Sequence, residues 1–192
     1  MNEIPAFCMR CGHAIKRQVP TGDHRERLMC SACGFIAYDN PKILVACIVT
    51  WQDKVLWMKR ATDPQRGCWA IPSGFMESGE TPEQAAAREL HEETGALVDP
   101  DGLSLYLIGS IPEISEVYLV YRGELAEPHY GPSEEATEVE LYTQTDAPWE
   151  EFAYPDVAEF MQQFYLDHES RSYGVYAARY VEGIHTFRRV AR

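Results

Sequence analysis

The side chains with the clearest chemical potential are carboxylates and thiols at fixed intervals. Glu89, Glu92 and Glu93 stand at i, i+3 and i+4 of a stretch rich in Ala, Glu and Gln. On a helix turning ~100° per residue they project at about 0°, −60° and +40°, within one narrow face. Like charges at this spacing repel, by roughly a few tenths of a kcal/mol per solvated pair. A divalent cation turns that repulsion into coordination, and hard oxygen ligands suit Mg²⁺ or Mn²⁺ with water and a substrate phosphate completing the shell. Arg88, adjacent to Glu89 and four residues before Glu92, can hold a carboxylate in one orientation. The bland alternative is a solvated acidic face, and spacing alone leaves the two open.

The thiols form a second constellation. Cys8 and Cys11 make one Cys-x2-Cys pair, and Cys30 and Cys33 make another. Two such pairs read as a four-thiolate zinc site, closed to substrate and therefore structural. Each pair precedes a glycine, Gly12 or Gly34, which suits a tight turn around a sulfur. Pro20-Thr-Gly-Asp23 marks a hairpin turn between Ile15–Val19 and Arg25–Met29. A ribbon of this size cannot build a sufficient core, so metal must supply folding energy. Cys47 and Cys68 are single and have no assigned role.

The acidic face needs a helix to carry it, and its limits are well marked. Thr81 suits the N-cap, Pro82 the first helical position, Gln84 the third residue of a capping box, and Gly95 the C′ position. Ala86, Ala87 and Leu90 form the stripe that faces the core. Around it, Ile43–Trp51 and Lys54–Arg60 read as strands, as do Ser104–Ile111, Glu116–Glu124 and Thr137–Tyr142. Pro155–His168 shows a helical period through Val157, Phe160, Met161, Phe164 and Tyr165. The elements mix without regular βαβ alternation, which points to an α+β domain with a mixed sheet flanked by helices.

Composition bounds the function. The chain has 192 residues with 17 basic and 30 acidic side chains, net −13. Residues 1–42 carry six basic and four acidic residues, 43–168 six and 24, and 169–192 five and two, so the acidity sits in the middle. Such a balance disfavours non-specific nucleic-acid binding, which needs Lys and Arg against phosphates. The longest apolar run, Ile43 to Val49, has seven residues, whereas a bilayer span needs ~20. The start, MNEIPAFCMRCG, has no secretory pattern, so a cytoplasmic protein without membrane partners is expected.

Gly74, five residues, Glu80, seven residues and then Arg88-Glu89-Leu90-His91-Glu92-Glu93-Thr94-Gly95 resembles the Nudix box, G-x5-E-x7-R-E-U-x-E-E-x-G-U with U aliphatic. Ala96 at the last aliphatic position is the one departure and alters only a packing contact. The resemblance spans residues 41–168. It implies a Nudix α/β/α sandwich whose box forms a metal-holding loop–helix–loop. It also implies hydrolysis of a nucleoside diphosphate linked to another moiety. By resemblance, Glu89, Glu92, Glu93 and the Ser73 carbonyl would hold Mg²⁺ or Mn²⁺. Glu89 would help deprotonate water, with Arg88 orienting it. A glutamate outside the box often takes part, and Glu138 is placed before Glu135 for that role. Glu80 looks like a loop-to-helix stabiliser.

A zinc ribbon over residues 1–37 ahead of such a domain is similar to the NADH pyrophosphatase group, as is the Tyr-x-Asn-Pro-Lys stretch Tyr38 to Lys42. That group carries S-Q-P-W-P-F-P-x-S after the box, where this chain has SIPEIS at Ser110–Ser115. PSGFMESGET, IPEISEVYL and TEVELY are more similar to a zinc-ribbon subgroup that includes a plant-type FAD pyrophosphatase. FAD or ADP-ribose is therefore favoured over NADH. A non-catalytic nucleotide-sensing regulator and a sanitiser of oxidised nucleoside triphosphates stay open as alternatives. Trp51, Trp57, Trp69, Phe75, Tyr106, Tyr118 and Tyr121 are available for stacking on a base, and the sequence does not choose among them. Residues 169–192 carry Tyr173, Tyr176, Tyr180 and Phe187 among arginines, too aromatic for a disordered tail. Docking on the acidic domain or on a second subunit is expected, the latter as a homodimer.

Overall fold

The computed structural model describes residues 7–155 and 158–191. The chain divides between Asn40 and Pro41 into two compact units. In the first, β1 (Ile15–Gln18), β2 (Arg27–Cys30) and β3 (Ile36–Ala37) form a small antiparallel sheet. Ile15 pairs with Cys30 and Gln18 with Arg27, so the hairpin closes around the Pro20–Asp23 turn. Gly12 and Gly34 both have positive φ, at 73° and 70°, and their N–H groups return to the Cys8 and Cys30 carbonyls, each at 2.9 Å. The two Cys-x2-Cys-Gly segments are thus the same tight turn made twice.

The second unit is a sandwich. Its strands are β4 (Lys42–Trp51), β5 (Lys54–Arg60), β6 (Trp69–Ala70), β7 (Ser73–Phe75), β8 (Ser104–Ile111), β9 (Glu116–Glu124), β10 (Ala136–Tyr142), β11 (Val175–Val181) and β12 (Ile184–Ala191). The helices are α1 (Pro82–Thr94), between β7 and β8, and α2 (Ala158–Ser170), between β10 and β11. The sheet runs β10-β5-β4-β9-β8-β11-β12, with β6 on β5 and β7 on β4. It is mixed, because β4 runs parallel to β9, and β11 parallel to β8.

The apolar run of β4 is buried on both faces. Val45, Cys47 and Val49 join Leu56, Met58 and the α1 residues Ala85, Ala86 and Leu90 in one core. Ala46 and Ile48 join Val55, Trp57 and the α2 residues Phe160, Met161 and Phe164 in the other. Ala85 thus enters the stripe expected at Ala86, Ala87 and Leu90, and Ala87 lies only partly buried at its margin. The described part of α2 begins at Ala158; Val157, counted in its helical period, lies outside the described residues.

Residues 175–191 are not an appended tail. They supply the last two strands of this sheet. Tyr176 and Phe187 stack at 4.8 Å within the α2-side core. Buried Asp167, near the end of α2, accepts from Tyr176 Oη at 2.8 Å, Gln163 Nε2 at 2.7 Å, Tyr106 Oη at 3.4 Å and Gly174 N–H at 3.4 Å. Tyr173, Tyr176 and Phe187 are therefore spent on the chain's own core, and Tyr180 stands outside it. The place of β11 in the sheet was illegible because it pairs in parallel with β8, whose residues lie about 70 positions earlier. Among the described residues no helix is long and apolar enough to cross a membrane.

Candidate active site

Helix α1 starts and stops where local chemistry dictates. The Thr81 hydroxyl accepts from Gln84 N–H at 3.3 Å, and Gln84 Oε1 accepts from Thr81 N–H at 2.9 Å, closing the capping box. Gly95 at φ 70° returns its N–H to His91 O. Burying Ala85, Ala86 and Leu90 fixes the rotation of the helix, and that rotation turns Glu89 and Glu93 toward β7.

Their exposure is graded. The Glu92 side chain is 56% exposed and that of Glu89 13%. Glu93 is buried, and no ion pair to it is present among the described residues. Its Oε2 accepts the Ser73 N–H at 2.7 Å, which ties α1 to β7. Desolvation pushes the Glu93 carboxyl up to about 8; the Ser73 N–H opposes this, while the charges of Glu89 and then Glu135 add to it. Desolvation also raises Glu89, against the pull of Arg88. Glu89 lies against Gly74, where a Cβ would collide with its carboxylate. The first glycine of the box is therefore a matter of space.

Arg88 organises the loop before the helix. Nε and Nη2 donate to the two oxygens of Glu80 at 2.6 and 3.1 Å. Nη1 donates to Glu89 at 2.8 Å and Glu92 at 3.0 Å, and Nη2 also donates to the Phe75 carbonyl at 3.1 Å. These five bonds match the five donors of a guanidinium. Glu80 is held below its ordinary range by Arg88 and by the Glu77 N–H, which donates to it at 3.0 Å. Glu80 thus joins loop to helix through Arg88.

The two glutamates outside the box part company. Glu138 lies on β10, pairs with Lys59 at 3.0 Å and is half exposed. Lys59 also sits 4.0 Å from Glu151 and over the Trp69 ring. Glu135 instead stands close enough for its charge to act on both Glu89 and Glu93. A β-bulge between Ala136 and Glu138 changes the register there, and spacing along one strand cannot reveal that. Arg60, at the end of β5, supplies the opposing positive charge on Glu93 and was not singled out from sequence.

The loop of the box also borders an open cavity of 510 Å³, lined by Lys42, Ile43, Phe75, Met76 and Glu77 among others. Phe75 is 45% exposed, and Lys42 Nζ lies 5.0 Å from its ring centre. Of the other aromatic candidates, Trp57, Trp69, Tyr106 and Tyr121 are buried and Trp51 and Tyr118 partly buried, so Phe75 is the most exposed of the set, on the strand residue next to Gly74.

In the ribbon, the sulfurs of Cys8, Cys11, Cys30 and Cys33 all lie within 4.8 Å of one another. Cys8–Cys33 and Cys11–Cys30 are 3.7 and 3.5 Å apart. Tetrahedral Zn²⁺ with Zn–S of about 2.3 Å requires sulfurs about 3.8 Å apart, so the set fits zinc. Backbone N–H groups of Cys33 and Ala32 hold the Cys30 thiol down at about 6, toward the thiolate that a metal needs.

A family model for the NUDIX domain matches residues 41–164, and one for the Nudix N-terminal zinc ribbon matches residues 6–39. An ADP-ribose pyrophosphatase of Methanocaldococcus jannaschii is 36% identical over 120 residues, 58% of this chain and 67% of that protein. The NAD-capped RNA hydrolase NudC of Pseudomonas aeruginosa is 29% identical over 166 residues, 85% of this chain. The match spans just over half of that protein, 56%. A crystal structure of a NUDIX hydrolase from Nitrosomonas europaea superposes with a TM-score of 0.83 at 36% identity, covering 90% of this chain and 97% of that one.

Proposed function

The chain belongs to the Nudix family, and on that premise we propose that it is a divalent-cation-dependent hydrolase of a nucleoside diphosphate linked to a second moiety, with ADP-ribose the favoured substrate. The observation that carries the reading is the graded carboxylate face of α1. Glu93 is buried against Ser73 N–H with no ion pair to it among the described residues, and Glu89 sits beside it on Gly74. A buried carboxylate without an ion pair is costly, and a hard cation offsets that cost. Glu89, Glu92 and Glu93 would hold it, with the Ser73 carbonyl and Glu135 as further oxygen donors. A divalent cation bound there would neutralise phosphate oxygens and make a water more acidic. Glu89, oriented by Arg88, is placed to accept that proton. The exposed Phe75 ring and the Lys42 ammonium suit an aromatic ring carrying phosphates.

The archaeal relative, named for ADP-ribose, supports that substrate over FAD. The NudC relative, named for NAD-capped RNA, brings dinucleotides of the NADH type into the same class. The ribbon is proposed to hold zinc as a structural ion.

The test is a panel of ADP-ribose, FAD, NADH, NAD⁺, diadenosine polyphosphates, dNTPs and NAD-capped RNA with Mg²⁺ or Mn²⁺, read by product mass. Release of AMP and ribose 5-phosphate from ADP-ribose is expected. Glu89→Gln should lower that turnover by ~10²–10⁴-fold. Tight binding of ADP-ribose without turnover of any compound would favour the sensing alternative and overturn the proposal.

A further inference from the structure

The carbonyls of the last turn of a helix have no partner within it. In α1 two of them are taken by one loop. Gly131 N–H donates to Thr94 O at 2.8 Å, and the Ser133 hydroxyl donates to Glu93 O at 2.8 Å. The same Ser133 oxygen accepts the N–H groups of Glu135 and Ala136, each at 3.1 Å. A hydroxyl has one proton and two lone pairs, and all three are engaged. Ser133 N–H donates to Ala136 O at 2.9 Å, which folds residues 133–136 into a closed turn. On its far side Glu135 O accepts the Ala61 N–H at 2.8 Å, beyond the end of β5. Glu135 is therefore pinned through its backbone between the residue that carries the buried carboxylate and the strand next to β4.

We propose that Ser133 is a positioning residue. It latches the loop 131–136 onto the carboxyl end of α1 and so fixes Glu135 at a set place relative to Glu89 and Glu93. This rests on the hydrolase reading above and deepens it. Ser133 touches neither substrate nor cation, and it acts through Glu135. Alanine leaves the Glu93 carbonyl and two backbone N–H groups without their common partner, and the loop loses its reference to the helix. Threonine retains the hydroxyl.

The experiment is a double-mutant cycle on the full-length protein. AMP release from ADP-ribose with Mn²⁺ is followed for wild type, Ser133→Ala, Ser133→Thr, Glu135→Gln and Ser133→Ala/Glu135→Gln. Removing a group that orients a ligand costs ~10–100-fold. Ser133→Ala should lose that factor in kcat with little change in KM, and Ser133→Thr should recover it. The double variant should be no slower than Glu135→Gln alone, because the latch has nothing left to position. A Ser133→Ala loss that persists in full in the Glu135→Gln background would show a merely structural role and overturn the inference. So would wild-type kcat for Ser133→Ala while Glu135→Gln is slow. If Glu135→Gln turns over like wild type, the assignment of Glu135 falls, and the latch falls with it. If neither wild type nor any variant releases AMP while all are folded by circular dichroism, the ADP-ribose reading on which the inference rests has failed, and the inference falls with it.

Discussion

Glu93→Gln separates what the acidic face costs the fold from what it does for a cation. In the cation-free protein, burial raises the Glu93 carboxyl from 4.5 to about 8. Its folded value lies above its unfolded value, so between those two pH values the native state holds the extra proton. Stability then falls as pH rises through that window, and the contribution of the neutral acid is fully present only below 4.5. At ~1.4 kcal/mol per unit, the gap sets an upper bound of about 5 kcal/mol. Relaxation and water entry reduce such penalties, so about 2 kcal/mol is the working expectation. Gln keeps an oxygen for the Ser73 N–H and never ionises. Without added Mg²⁺ or Mn²⁺, Glu93→Gln should therefore melt ~4–8 °C above wild type at pH 8.5 and close to it at pH 4.5. The relation inverts with cation. At 100 times its Kd, Mn²⁺ should stabilise wild type by about 2.7 kcal/mol, and the variant by far less. The assay is thermal unfolding across pH in chelator-free buffer, so that ribbon zinc stays in place. A variant less stable than wild type at pH 8.5 without cation, or one that gains as much from Mn²⁺ as wild type, refutes the reasoning.

Three further perturbations test other parts of the chain. Gly74→Ala sets a methyl group where the Glu89 carboxylate lies; turnover should fall by ~10²-fold with little change in melting temperature, and wild-type kcat would show that Glu89 need not lie there. Cys30→Ser removes a thiol that backbone N–H groups hold down; zinc bound per chain, measured by mass spectrometry, should fall from one toward zero as the ribbon unfolds, and a fully loaded variant would contradict a four-thiolate site. Asp167→Ala strands Tyr106, Tyr176 and Gln163 in the α2-side core; urea unfolding should show a loss of about 2–4 kcal/mol, whereas a loss below 0.5 kcal/mol would mean that the hairpin β11–β12 docks without this carboxylate.

Much of the site was written locally. The limits of α1, Pro82 and Thr94, follow from Thr81, Gln84 and Gly95, because capping bonds reach only three or four residues. The shared face of Glu89, Glu92 and Glu93 follows from the helical period, and the grouping of four cysteines from their paired spacing. The strands β4 and β5 were legible as apolar runs bounded by a turn. What lay beyond reach were quantities set by residues far apart in sequence. Which glutamate is buried depends on where β7 passes the helix, and Ser73 is 20 residues from Glu93. The placement of Glu135 and Glu138 depends on a bulge against β5 and on a serine hydroxyl that reaches 40 residues back to Glu93. The docking of β11 was hidden because it pairs in parallel with β8, and no local turn announces such a partner; only its hairpin with β12, which turns at Glu182-Gly183, is local. The sequence alone determined the helix, its carboxylate face and the thiol set, since those interactions close within one turn or one hairpin. The tertiary structure decided burial, and through burial which carboxylate is pushed furthest from its ordinary range.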